Sequence, residues 1–237
     1  MKIVVRAALA LAAALALTGC HKSDDAAFDN RVHAYLMAHP EVIREAADKL
    51  RDKDQAALAK ASTDALSKYR QKLERDPRDF VANPGGKITV VEFFDYRCGY
   101  CKLAAPQVVQ LIKEHPDVRF VFKEFPIFGA ASDRAAAGAL LVKKEGGDYL
   151  GLYHDFMAQK GMDDDGVDQI LKAHGVDPDQ LSQPPVANAV SAHLEAVRKL
   201  GVALGVQGTP TFIVGDVVIP GEAPDALRAA VAAAKKG

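Results

Sequence analysis

The stretch "KITVVEFFDYRCGYC", residues 87–101, restricts the possible folds more than any other part of the chain. From Ile88 to Phe94 it is β-branched or aromatic with a single charge, Glu92, as a buried strand requires. Cys98 and Cys101 follow directly, and helical spacing then runs past Pro106 to about His115. A second run, "DVRFVFKEFPIF", alternates Val118, Phe120 and Phe122 against Arg119, Val121 and Lys123, which suits a strand parallel to the first. The pattern predicts a β-α-β unit whose helix opens at the cysteine pair.

The remainder of the main domain reads as helices from about Ala131 to Leu204, interrupted near residues 161–166 and by "QPP" at 183–185. "MDDDG" lacks the alternate oxygens and closing Glu of a calcium loop, so it reads as a loop whose Asp caps a helix near Val167. "GTPTFIVGDVVIPG" gives two short strands around a Gly215-Asp216 turn, and a helix with Pro224 in its first turn ends the domain. Ahead of it, apolar residues from Phe28 to Leu73 recur at three- and four-residue steps, with a break at "HPE", residues 39–41. That stripe is thin and alanine-rich, so it needs a partner surface: the main domain, or the same helix of a second subunit. "ERDPRDFVANPGG" marks the boundary, giving a helical region over 28–80 and a main domain over 81–237.

Lys2 and Arg6 followed by "AALALAAALAL" form a basic start and an apolar run too short to span a bilayer, as in an export signal over residues 1–19. The run ends in "LTGC", which resembles the lipobox of bacterial lipoproteins and implies a lipid on Cys20. Cleavage after Ala14 or Ala16, leaving Cys20 a free thiol, is the alternative. "HKSDDAA" then reads as part of a polar tether over 20–27. Export matters because a cell envelope tolerates disulfides. Without Lys2 and Arg6, 28 basic residues stand against 31 acidic ones, and no basic run is interleaved with aromatics. That excludes a nucleic-acid partner and an electrostatic membrane surface.

Cys98 and Cys101 admit three readings. A zinc site needs four ligands, yet there is no second Cys-x-x-Cys, and the seven histidines are scattered without a His-x-x-x-His. A structural disulfide here would close too small a loop to restrain the unfolded chain much. A redox pair fits the placement: the first sulfur lies at a helix N-terminus, where the dipole favours a thiolate, and the second lies one turn in. Cys98 would exchange with a substrate sulfur and Cys101 would resolve the mixed disulfide. No metal and no cofactor is required.

The strand, "CGYC", the helix with Pro106 and the later "GTPT" resemble the thioredoxin superfamily in order. The intervening helical block, about 131–190, resembles its DsbA-like branch of exported thiol–disulfide oxidoreductases. The resemblance implies an α/β thioredoxin fold with an inserted helical domain. It also implies a cis Pro210 facing the cysteines, with Thr209 presenting backbone groups to an extended substrate. Glu92 takes the place of the family's buried acid, where burial raises its pKa and suits it to relay the proton of Cys101. Strand alternation puts Glu92 and Phe94 on one face, and Lys123 is a candidate partner for Glu92. Phe94 and Tyr96 read as packing residues.

Gly99-Tyr100 between the cysteines, and Thr209 before the proline, resemble DsbC-like isomerases rather than the Pro-His of the strong oxidase. No imidazolium stands beside Cys98, so a milder couple is expected. The N-terminal helices resemble those of oligomeric ScsC-type members. The resemblance implies a homo-oligomer assembled through residues 28–75, exported cysteine-containing proteins as substrates and a membrane redox partner. The expected function is disulfide isomerase or reductase; a DsbA-type oxidase and a copper-binding thiol protein are the alternatives. His21 after the lipobox cysteine resembles outer-membrane sorting.

Overall fold

The computed structural model describes residues 23–236. The expected signal and the lipid-bearing Cys20 lie outside the described residues. The chain divides into two units inside one helix, after Ala59. In the first, α1 (Ser23–Ala38) and the start of α2 (Glu41–Glu74) are separated by a break at His39-Pro40. The tether expected to run to Ala27 instead turns helical at Ser23, since the Ala26-Ala27 pair favours helix and no breaker intervenes. Phe28, Tyr35, Ile43, Leu50 and Leu58 are exposed. An apolar stripe therefore runs along these helices with no cover from the described residues of the unit.

The second unit begins at Lys60, not near residue 80 as the proline-rich segment suggests. The cause is the last turns of α2, where Leu66 and Leu73 are fully buried against Val91, Phe93, Val121, Leu200 and Ile213. Arg70 donates to Gly215 O at 3.2 Å and pairs with Asp216, fixing α2 to a hairpin turn. Gly215 supplies the positive φ of that turn, +60°.

Five strands form one sheet in the order β1-β3-β2-β4-β5. β2 (Ile88–Phe94) and β3 (Val118–Glu124) are parallel and joined by α3 (Gly99–Glu114), as expected. β4 (Thr211–Val214) runs antiparallel to β2 and pairs with β5 (Val217–Pro220). β1 (Phe80–Ala82) adds an antiparallel edge to β3. Its three residues lie inside a run of prolines and glycines, too short for any alternation to stand out.

The helical block comprises α4 (Ala130–Glu145), α5 (Tyr149–Ala158), α6 (Asp164–Ala173), a 3₁₀ turn (Pro178–Ser182) and α7 (Pro184–Ala203). Asp163 caps α6 by accepting from Gly166 N, so "MDDDG" is a capped helix start. α4 and α6 pack so closely that a Cβ on Gly138 would lie 2.4 Å from a Leu171 methyl. α3, the terminal helix α8 (Pro224–Ala234) and α5 share one core with Val90, Phe94, Phe120 and Phe122. Val197 and Leu200 of α7 join α2 on the opposite face. No helix among the described residues is long and apolar enough to cross a membrane.

Lys123 does not pair with Glu92. The parallel register sets Glu92 beside Phe122 and Phe93 beside Lys123, so the two charges project from opposite faces of the sheet. Lys123, 1 % exposed, instead donates to Lys72 O at 2.6 Å and forms an ion pair with buried Asp79. His193 Nε2 of α7 lies 3.1 Å from the other Asp79 oxygen, close enough for charge pairing though not angled for a hydrogen bond. This cluster joins α2, β3 and α7 beneath the sheet. Lys123→Ala leaves buried Asp79 with only the His193 contact, and removing one partner of a buried pair costs about 3–5 kcal/mol. Denaturant unfolding should show a loss of that size for Lys123→Ala; a change of a few tenths would contradict the pairing.

Candidate active site

β2 ends at Phe94, and "DYR" turns the chain so that Cys98 becomes the N-cap of α3 with extended backbone, φ −70° and ψ 119°. Asp95 organises that turn. Its Oδ1 accepts from Arg97 N at 2.7 Å and Ser132 Oγ at 2.8 Å, and its Oδ2 accepts from Ile127 N at 2.7 Å and Phe128 N at 3.1 Å. Four donors from three parts of the chain meet on one carboxylate, so the loop after β3 is held against the cysteine turn. Sequence reasoning passed over Asp95; its signal is an acid placed immediately after an apolar strand.

The two cysteines are free thiols in different surroundings. Cys98 is 4 % exposed and Cys101 0 %, while Tyr100 between them is 65 % exposed. Cys98 Sγ lies 3.1 Å from Thr209 O, and the Thr209-Pro210 peptide is cis, so the two motifs meet across the sheet. Cys98 is drawn down to about 5. Its hydrogen bond with Cys101 is the main cause, the Thr209 side chain and the amides of Cys101 and Tyr100 assist, and burial opposes. Cys101 is pushed far up by burial first, then by its bond to Cys98 and the nearby Glu92. One sulfur is therefore a stable anion and the other keeps its proton.

Glu92 is fully buried on the same sheet face as Phe94 and the cysteines. Burial raises its carboxyl to about 8, with the Cys98 charge adding to the effect and Tyr153 opposing it. Tyr153 OH donates to Oε2 at a long 3.4 Å, and Oε1 has no partner among the described residues. A second buried acid, Glu124, escaped the sequence reading. It ends β3 one alternation beyond the residue paired with Glu92, and burial raises it to about 8 as well. Tyr96 is therefore more than packing, because its hydroxyl donates to Glu124.

Gly99 and Tyr100 form the exposed first turn of α3. Lys102 Nζ, one residue beyond Cys101, donates to Phe156 O at 3.1 Å and Gln159 O at 2.7 Å. It caps the carboxyl end of α5 and locks the helical block to the cysteine helix. Among the described residues no group of three or more His, Cys, Asp or Glu side chains is placed to hold a metal ion. Cys98, Cys101, Glu92, Thr209 and Pro210 thus converge on one end of β2, and Lys123 lies on the far side of the sheet.

Residues 89–232 match the DSBA-like thioredoxin domain, and residues 24–57 match the N-terminal domain of the copper resistance protein ScsC. Disulfide bond formation protein D of Bacillus subtilis is 28% identical over 144 residues, covering 56% of this chain and 65% of that protein's length. The crystal structure of BcfH from Salmonella enterica Typhimurium aligns with a TM-score of 0.72 at 32% identity, covering 90% of this chain and 96% of the other. A linker-deletion variant of Proteus mirabilis ScsC aligns at 0.68 and 25% identity, covering 92% and 99%. The chain belongs to the DsbA-like family of thioredoxin-fold thiol–disulfide oxidoreductases, with an ScsC-type region at its N-terminal end.

Proposed function

We propose that the protein reshuffles or reduces disulfides of exported proteins, with Cys98 as nucleophile and Cys101 as resolving thiol. The observation that carries this is the division between the two sulfurs, one anionic at a helix N-terminus and one buried and protonated. A Cys98 value of about 5 lies between the roughly 7 of thioredoxin and the roughly 3.5 of DsbA. Such a thiol attacks a substrate disulfide at neutral pH and is still a reasonable nucleophile, since nucleophilicity falls with pKa. Tyr100 provides no cationic partner that would drive the couple toward strong oxidation.

The substrate sulfur approaches over Gly99-Tyr100, and the Thr209-Pro210 segment aligns an extended chain beside Cys98 through the Thr209 backbone. Glu92 gives a proton to Cys101 as the active-site disulfide opens and takes it back as it closes.

The N-terminal unit supports assembly. Its apolar stripe from Phe28 to Leu58 has no cover among the described residues of the unit, and the ScsC N-terminal match over residues 24–57 overlaps it. Several catalytic domains joined this way present a high local concentration of cysteine pairs to one misfolded substrate. An envelope location with a lipid on Cys20 rests on the sequence signal, and a relative described as a periplasmic thioredoxin-like protein supports the compartment. A membrane redox partner would keep the pair supplied with electrons.

An oxidase is the second reading. The stabilised thiolate favours it, as does the name of the Bacillus relative, a disulfide bond formation protein. Refolding of a scrambled multi-disulfide substrate separates the two. Oligomeric protein should restore its activity, whereas the combined Tyr35→Lys, Ile43→Lys and Leu50→Lys variant should sediment as a smaller species and isomerise several-fold more slowly. Equal isomerisation by both would remove assembly from the account. Cys101→Ala should accumulate mixed disulfides on Cys98 in envelope extracts; their absence would count against substrate exchange, and stoichiometric copper on the unmodified protein would favour metal binding.

A further inference from the structure

Two carboxyls lie under the cysteine helix, and their hydrogen bonding is unequal. Glu124 Oε1 accepts from Tyr149 OH at 2.6 Å and from Tyr96 OH at 2.9 Å. Among the described residues Glu92 has the single long Tyr153 contact and an oxygen with no partner. Hydrogen bonds to a carboxylate favour its charged form, so the phenol pair makes Glu124 the better home for a negative charge. In the parallel register Glu92 is level with Phe122 and Glu124 with Phe94, so both acids project from one face two residues apart.

Like charges on neighbouring strands of one dry sheet face resist joint ionisation, and the charge of Glu92 is among the causes that raise Glu124. Their charged and titratable surroundings are Asp95 at the end of β2, Tyr96, Tyr149 and Tyr153, and Cys98, Cys101 and Lys102 on α3. No ion pair to either carboxyl forms among the described residues: Lys102 is spent on α5 and Lys123 on the far face.

We propose that Glu124 is the first of this pair to ionise and that its charge then keeps Glu92 protonated beneath Cys101. Glu124 touches neither substrate nor sulfur; it is a positioning residue acting through Glu92. The inference rests on Glu92 being the group that exchanges a proton with Cys101. When a substrate thiolate attacks Cys98 Sγ, the Cys98–Cys101 bond breaks and its electron pair leaves on Cys101 Sγ. The proton on Glu92 then neutralises that sulfur. In the reverse step Cys101 returns the proton to the Glu92 carboxylate, attacks Cys98 Sγ and expels the substrate thiolate. Glu124 thus favours opening of the enzyme's disulfide, and restrains the release step, in the pH range where it has ionised and Glu92 has not.

Carboxyl ¹³C titration of the full-length dithiol protein reads the order directly: Glu124 should ionise at lower pH than Glu92, and the opposite order overturns the proposal. The rate at which Cys101 displaces glutathione from Cys98, followed against pH, gives the functional counterpart. Glu124→Gln removes the opposing charge, so the Glu92-dependent limb should move to lower pH and release at about pH 8 and above should accelerate several-fold. Tyr149→Phe removes one donor from Glu124 and should move the limb the same way; it serves if Glu124→Gln does not fold. A merely structural role would lower stability without moving the limb, and an unmoved or raised midpoint overturns the proposal. Glu92→Gln tests the underlying reading separately. If the limb survives that change, Glu92 is not the proton carrier, and the ¹³C order alone decides where the charge resides.

Discussion

A thiolate held by the first turn of a helix is the interaction around which this structure is arranged. Helix N-terminal amides are unsatisfied by construction, and an anion at the N-cap satisfies them. Cys98 occupies that position only because β2 delivers the chain to it and Asp95 fixes the turn between them. One turn deeper, the same helix carries Cys101 into a core of aromatic rings, where charge is costly. Two chemically identical side chains thus acquire opposite protonation states from three residues of displacement.

The dry layer that raises Cys101 also raises Glu92 and Glu124, and three tyrosines from two elements share the task of bonding them. Two of these tyrosines come from α5 of the helical block. The insertion is therefore part of the electrostatic environment of the reaction, and Lys102 binds its end to the cysteine helix. On the other face of the sheet, Lys123, Asp79 and His193 hold α2 and α7 in place with a buried cluster of their own.

Much of this was legible in the chain itself. β-Branched and aromatic composition marks β2, alternation marks β3, the Gly215-Asp216 pair marks the hairpin, and the family resemblance of Cys-x-x-Cys with Gly-Thr-Pro-Thr points to the two halves of the site. What escaped depends on information that a single segment lacks. Glu92 and Lys123 are both lone charges in apolar strands, yet their faces are fixed by inter-strand register, which periodicity does not contain. β1 is too short to alternate visibly. Glu124 lies 25 residues before Tyr149 of α5 and meets it only through tertiary packing, and the end of α2 looks like more of the same stripe until the sheet that covers Leu66 and Leu73 is known.

The account depends most on Cys98 being an anion well below the ordinary thiol range. Thiolate ultraviolet absorbance of the reduced full-length protein, titrated between pH 3 and 10 and compared with Cys98→Ser, measures this directly. A step with its midpoint near 5 that disappears in the variant is the expected result. A midpoint of about 8–9, the range of an unperturbed cysteine, would contradict it.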